Sequence, residues 1–451
     1  MMMLKDELFS VGEKLLEEFK KYVDDCALLL TSSVKHQVRF ANNIITVTKT
    51  WIENTLHACV DKNNRVAVFS IPLEKALKNP ELAPKMALEM LKHANPREDY
   101  APFPEPAKEL PTIEHFDKTV IEKPEKGIEL VIKTIDDFKS EGIKRVAGTM
   151  RLDAISSALL TTKGAEFFDL GTQVYLDVRT FMNGEITGAF SSASSHIDSL
   201  DIKSVIDIAS YLAKASTETK SIEPGKYTTI FTPMAFGALS NFIGLASSAY
   251  AVILGYSFFV NKLNQKVASD IVTILDNPHL RRGFNSTPFD LEGVNTNKKP
   301  IIEKGILKNY LHNRFTAKRM NAKLTGNAGW IFPSPWQLDI LPGDSTFDEM
   351  LSEVKDGILV GNCTYIRLQN YILGQFSCVI RDGVFYVKNG EIKFRVKGLR
   401  LADSFPNILS NVRLLSKDRF HMYSWWFETD LSVSSPWVLV EKANFTKAFG
   451  F

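Results

Sequence analysis

Little in this sequence marks a special environment, and each shortage removes a class of explanation. Cysteine is scarce: Cys26, Cys59, Cys363 and Cys378 are the only four in 451 residues, and the last two stand fifteen apart, a spacing that fits neither a CxxC redox site nor a zinc knuckle. A chain this long buries a core without cross-links, so reduced and mostly buried thiols are expected. An excess of one charge is missing too. Lys and Arg number 54 against 52 Asp and Glu, a net of +2, which exerts no broad pull on phosphate backbones or anionic membranes. Neither nucleic acid nor membrane is therefore an expected partner. The longest apolar run, Ala249 to Val260, is about twelve residues and contains Tyr250, Gly255 and Ser257, whereas a bilayer crossing needs roughly 20. Met1 to Asp6 lead into an amphipathic stretch with no basic segment before an apolar one. A soluble, cytoplasmic protein is the expectation. No repeat period and no low-complexity segment stand out.

What is present is an ordinary globular composition, 45% hydrophobic and 24% charged, in a length that suggests roughly two domains. Leu8, Val11, Leu15, Phe19 and Val23 recur at helical spacing and predict a first helix. Strands are predicted at Ala27 to Leu30, Val34 to Phe40, Ile44 to Val47, Thr55 to Val60 and Val66 to Phe69, with tight turns at Asn42-Asn43 and Asp61 to Asn64. Pro80 and Pro84 divide Leu73 to Leu91 into two short helical pieces. The proline-rich stretch Ala94 to Pro124 reads as an extended crossing. A helix over Ile128 to Ser140, strands through Lys144 to Ser194 with a hairpin at Asn183-Gly184, and a helical stripe of Ile202, Val205, Ile208, Ala209 and Leu212 follow.

Glu223-Pro224-Gly225 is the best boundary signal and divides the chain into 1–221 and 222–451. Beyond it strands dominate, with two helices predicted around Ala235 to Ala249 and Asn261 to Thr273, and strands at Tyr227 to Phe231, Gly305 to Arg314 and Trp437 to Val440. A hairpin is predicted from Val384 to Val396 around Asn389-Gly390, with Phe385 and Val387 facing one side and Ile392, Phe394 and Val396 likewise.

Three C-terminal segments resemble the PmbA, or TldE, branch of the TldD/PmbA metallopeptidase family. They are Asn277-Pro278-His279-Leu280-Arg281-Arg282-Gly283 continuing through Ser286 to Val294, then Gly305 to Leu311 with Thr316-Ala317-Lys318 and Thr325 to Gly329, and finally Gly374-Gln375-Phe376-Ser377 with Lys388 to Ile392. Val38 to Asn43 is a fainter N-terminal counterpart. The resemblance implies an α+β fold of two domains, the first an α/β layered domain, the second a curved, largely antiparallel β-sheet with helices. It also implies dimerisation, as a homodimer or as a heterodimer with a TldD-like catalytic subunit, and a peptide or unfolded polypeptide as substrate of the assembly.

In the catalytic branch a His-Glu-x-x-x-His helix and a later cysteine hold zinc, and the glutamate takes a proton from the bound water. None of the eight histidines here, at 36, 57, 93, 115, 196, 279, 312 and 421, precedes a glutamate, and no cysteine follows Cys378. By approximate registration the matching helix carries Asn241 and Phe242 where the first ligand and the base would stand, with Leu245 one turn on. An amide oxygen cannot replace imidazole and thiolate, and phenylalanine accepts no proton. No metal and no catalytic residue are therefore assigned to this chain; zinc is expected only in a TldD-like partner.

Two other readings remain. Asp276, His279, Asp290, Glu292 and His312 could form an unrelated metal site in an autonomous peptidase, although no triplet has recognisable ligand spacing and a loop of structural hydrogen bonds explains them as well. Alternatively the chain is a homodimeric peptide-binding scaffold. Candidates for lining a cavity are Asp290, Glu292, Trp425 and Trp426; on a strand, the adjacent aromatics Trp425-Trp426-Phe427 would point to opposite sides, one into a core and one towards a groove.

Overall fold

The computed structural model describes residues 2–184 and 186–448, apart from the side chain of Trp425. Its first sheet has six antiparallel strands, β1 (Asp25–Ala41), β2 (Ile44–Lys62), β3 (Arg65–Pro72), β4 (Arg145–Thr161), β5 (Glu166–Phe181) and β6 (Thr187–Ser194), in the order β3-β2-β1-β4-β5-β6. Asn42 and Asn43 both take positive φ, 53° and 63°, as do Asn63 and Asn64 at 52° and 59°. Such paired left-handed residues match the twist of a two-residue hairpin. The separate strands predicted within 27–40 and 44–60 are instead two continuous ones. Polar residues do not interrupt them because they are satisfied sideways: Ser32 Oγ donates to Asn54 Oδ1 across the ladder at 2.6 Å and accepts from Met3 N at 2.8 Å.

One face of this sheet carries helices. Lys5–Lys20 and Leu82–His93 cover Leu28, Leu30, Leu56 and Leu160, while Lys126–Ser140 packs Val131, Ile135 and Phe138 over Val38, Met150 and Leu152. The helix Ile202–Lys214 lies so close to β6 that a Cβ on Gly188 would come within 2.3 Å of Ala209 O, which only glycine permits.

The second sheet has twelve strands: β7 (Thr219–Ser221), β8 (Gly225–Phe231), β9 (Ile274–Asp276), β10 (Lys299–Glu303), β11 (Ile306–Leu307), β12 (Gln337–Ile340), β13 (Asp356–Asn370), β14 (Gln375–Lys388), β15 (Glu391–Lys397), β16 (Leu399–Ser404), β17 (Val412–Met422) and β18 (Ser432–Lys447). Strand β16 pairs with both β14 and β18, so that β18, β8, β13, β14 and β16 close on themselves into a barrel-like ring. The hairpin at Asn389-Gly390 forms as predicted, with φ of 50° and 76°.

Three expectations fail in this domain. Asn261 to Thr273 is not a helix: Asn261 and Asn264 sit at φ 58° and 61°, a left-handed conformation that ends an α-helix after one residue, and the segment turns so that Ala268 and Val272 reach the core. Gly305 to Arg314 is strand only at Ile306–Leu307; Asn313 accepts from Thr316 N at 3.0 Å and caps the helix Arg314–Met320 instead. Trp425–Phe427 is a single 3₁₀ turn rather than part of a strand, capped by Ser424 Oγ, which accepts from Trp426 N.

Charge holds the two domains together. Arg314, buried in the second domain, donates through Nη2 to Asp61 Oδ1 on β2 at 3.0 Å and through Nη1 to Asp61 Oδ2 and, at 2.9 Å, to Ala101 O in the proline-rich crossing. Phe103 from the same crossing lies beneath its guanidinium, 3.7 Å from ring centroid to Cζ. Arg395 on β15 donates to Ser216 O, Leu212 O and Ala213 O at the C-terminal end of the helix Ile202–Lys214, where unpaired carbonyls and the negative end of the helix dipole gather. Asp382 on β14 accepts from Arg179 Nε at 2.7 Å and from Thr187 Oγ1 at 2.9 Å. Removing one member of a buried pair strands the other charge, at about 3–5 kcal/mol. Arg314→Met is expected to lower the unfolding free energy in urea by that amount, and Arg314→Met with Asp61→Asn to lower it by less than the two single changes combined.

Candidate functional site

The helix Pro233–Ala246 begins with proline at its first position, capped by Thr232 Oγ1, which accepts from Ala235 N at 3.1 Å. Apart from Ser240 and Asn241 it is apolar, and it is buried against β13 and β18, as a helix enclosed by a sheet must be. A Cβ on Gly244 would stand 2.9 Å from Leu338 Cδ1, so the helix leans on β12 through a residue without a side chain. Asn241 is fully buried; its Nδ2 donates to Leu431 O at 3.5 Å and its Oδ1 has no partner among the described residues. Phe242, one position on, is half-buried and stacks on Phe405 at 6.2 Å and 15°, and Phe405 stacks in turn on Phe376 at 4.4 Å and on Phe258 at 5.3 Å. Around Asn241 and Phe242 the helix thus presents an amide and a stack of rings rather than charge.

Phe242 and Leu245 also line one groove of about 310 Å³, walled by Tyr250, Tyr256, Phe332 and Tyr371. Tyr250 packs edge-on to Phe332 at 5.9 Å, and Tyr256 against Tyr371 at 5.5 Å. Tyr256 is 61% exposed and Ile372, beside Tyr371, 63%, so the groove opens onto an apolar rim.

The acidic residues lie elsewhere. Asp276 is fully buried and accepts from Lys299 Nζ at 2.9 Å, Asn327 Nδ2 at 2.6 Å and Trp336 N at 2.8 Å. Asp290 takes the backbone N–H groups of Glu292, Val294 and Ala328, each at 2.9–3.0 Å. Glu292 accepts from Arg314 N at 2.9 Å and lies 3.3 Å from Arg314 Nε. Burial pushes the carboxyls of Asp290 and Glu292 up, and their proximity pushes Glu292 further. His279 shares a 2.9 Å hydrogen bond with Thr296 Oγ1, and burial pulls His312 down to about 4. Asp276 and Asp290 are thus engaged by several donors each, whereas Glu292 Oε1 and His312 Nδ1 have no hydrogen-bond partner among the described residues. Among the described residues no set of three or more His, Cys, Asp or Glu side chains could hold a metal ion, and all four cysteines are buried and unbridged.

Of the aromatic turn, the side chain of Trp425 lies outside the described residues. Trp426 is half-buried with the Arg381 guanidinium 5.4 Å from its ring, and Phe427 is buried against the helix near Gly237. The turn is tied to the first sheet by Ser424 Oγ, which donates to the buried Asp177 Oδ2.

The PmbA/TldA metallopeptidase C-terminal domain is matched over residues 224–447, which holds both the helix and the groove. A metalloprotease of Methanocaldococcus jannaschii is 36% identical over 208 residues, 45% of this chain and 46% of that protein, and metalloprotease PmbA of Escherichia coli O157:H7 is 31% identical over 205 residues, 44% and 43% of the two chains. The chain belongs to the TldD/PmbA metallopeptidase family. The matched stretch spans about half the length of these curated relatives. The fold similarity reaches further: TldE from Thermococcus kodakarensis superposes with a TM-score of 0.82 at 20% identity over 97% of this chain and all of that one, and a protein named as a modulator of DNA gyrase from Bacteroides thetaiotaomicron with 0.83 at 22% over 99% and 100%.

In this TldD/PmbA frame Asn241, Phe242 and Leu245 share one helix, Glu292 meets Arg314 and Asp290 takes backbone N–H groups, and Trp426 belongs to the turn whose Phe427 packs on that helix. Sequence reasoning missed the groove, two of whose tyrosines, Tyr250 and Tyr256, sit inside what reads only as a short apolar run. It also missed Asp177, buried with a single hydroxyl donor. Burial raises this carboxyl from 3.8 to about 7. A folded-state value above the unfolded one gives stability that is whole below pH about 4 and lost as pH rises through about 7. Asp177→Asn is expected to flatten that decline and to melt higher than the parent above pH about 7, read from thermal melts between pH 4 and 8.

Proposed function

We propose that this chain is the non-catalytic, TldE-like subunit of a two-chain metallopeptidase, contributing one wall of a peptide-binding chamber to a TldD-like partner that carries the zinc. The observation that carries the reading is the helix Pro233–Ala246: in a family whose C-terminal domain this chain shares, that helix holds Asn241 and the stacked Phe242 and offers neither an imidazole nor a carboxylate. A wall can serve without reacting, by holding an extended peptide and keeping folded proteins from the metal. The groove lined by Phe242 and Leu245 suits an apolar side chain of that peptide: it is walled by rings and, at about 310 Å³, is of the size of small-ligand pockets.

Mixing the chain with a TldD-like protein bearing His-Glu-x-x-x-His is expected to give a one-to-one complex by size exclusion with light scattering. Its peptidase activity should vanish with chelator, while the isolated chain binds no stoichiometric zinc by metal analysis. Failure to associate with any such partner sinks the reading. Leu245→Arg, which fills the groove with charge, is expected to leave the complex intact and raise KM for peptides with large apolar side chains by roughly ten-fold.

A further inference from the structure

The second domain covers part of the face of the first sheet opposite its helices, and besides the polar contacts of Ser424 with Asp177 and Asp382 with Arg179 it lays two aromatic covers there. Phe289 and Trp330 close it over Ala27, Cys59 and Leu159, and Phe284 with Tyr423 close it over Tyr175. From the row of Tyr175 outwards, away from the first cover, the ladder register aligns Lys49, Gln37 and Arg151 in one row, Val47, Arg39 and Thr149 in the next, and Arg145 with Phe181 at the end of β4 and β5.

This open corner is cationic at short range. Lys35 is paired with Glu53, Arg151 with Asp153 and Arg179 with Asp382. Lys49, Arg39 and Arg145 are exposed and have no carboxylate partner among the described residues; Arg145 reaches only the Asn42 amide oxygen at 3.4 Å. Two of the three are held by aromatic rings. Lys49 Nζ stands 4.9 Å from the Trp51 ring centroid, with Arg151 at 5.4 Å from the same ring, and Arg145 stands 4.5 Å from Phe181, with Arg179 at 5.3 Å. Rings so occupied are not free to stack nucleobases, the main sequence-tolerant contact of single-stranded nucleic acid. They fix the cations instead, and a fixed guanidinium is suited to bidentate capture of a carboxylate.

From these positions we propose that the open corner of the first sheet binds an extended acidic peptide, its carboxylates meeting Lys49, Arg39 and Arg145. Arg145 lies six residues along β4 from the row of Lys49 and two strands across, about 20 Å along and 10 Å over. An extended segment of about six or seven residues covers that distance. Binding is a property of this chain alone and does not rest on the companion-subunit reading, so the two fail separately.

The test is fluorescence anisotropy on the isolated full chain with three labelled probes: a peptide of about eight residues alternating Glu and Ser, the same peptide with Gln for Glu, and a single-stranded oligonucleotide of matching length. The Glu peptide is expected to bind about ten-fold or more tighter than the Gln peptide and to weaken as salt rises. Arg39→Glu with Arg145→Glu should raise its Kd about ten-fold or more, with the circular dichroism melt unchanged because both side chains are exposed; Lys49→Glu alone gives a second, milder reading of the same loss. Equal binding of the Gln peptide, tighter binding of the oligonucleotide, or indifference to both charge reversals would overturn the proposal.

Discussion

The whole arrangement depends on a guanidinium that has left water. Arg314 can be buried only if its charge and its donors are answered on the spot, and the answer comes from the other domain: a bidentate carboxylate on β2, a carbonyl and a ring from the proline-rich crossing. Because Asp61 and Arg314 are each nearly inaccessible, neither domain can rotate away without exposing an unpaired charge in an apolar seam. The crossing is therefore part of the joint rather than a linker, and its prolines suit a strand-like segment that gives up few backbone donors. Arg395 and Asp382 repeat the same logic at the opposite end of the seam, one by capping a helix, the other by gathering Arg179 and Thr187.

That rigid seam places the helix Pro233–Ala246 in the interior of the second domain. A metal-binding helix must leave room for water and for a charged base, and it has to satisfy that polarity with neighbours. Here the neighbours are leucine, methionine, valine and stacked phenylalanines; of the helix's buried polar side chains Ser240 bonds back to Phe236 O, and Asn241 Oδ1 has no partner among the described residues. A histidine introduced at Asn241 would enter apolar surroundings, in a chain whose described residues hold no set of three or more His, Cys, Asp or Glu side chains that could bind a metal ion.

Much of the fold was legible in the sequence because the signals were local. Asparagine pairs and the Asn-Gly steps marked the hairpins, since left-handed backbone is needed there, and Leu8, Leu15 and Phe19 marked a helix stripe that is indeed buried. Local signals also misled. Asn261 to Thr273 has helical spacing of apolar residues, but two asparagines in left-handed conformation and contacts with the core outweigh it. The joint was beyond reach altogether: Arg314 and Asp61 lie 253 residues apart, and nothing in the pattern around either residue names the other. For the same reason Asp290 and Glu292 read equally as members of a cation site and as loop residues with structural hydrogen bonds, since their partners, Arg314 N and the N–H of Ala328, come from segments that spacing does not name.

Overall charge was similarly uninformative about the surface. A net of +2 rules out a long-range field, yet salt confines electrostatic attraction to about 8 Å, and within that range what matters is which charges are already paired. On the open corner of the first sheet the acidic residues have been taken by Lys35, Arg151 and Arg179, leaving Lys49, Arg39 and Arg145 without carboxylates. The second domain seals the apolar stretch of the same face over Cys59 and Leu159, and the rows beyond carry their cations beside the exposed Val47 and the Trp51 ring.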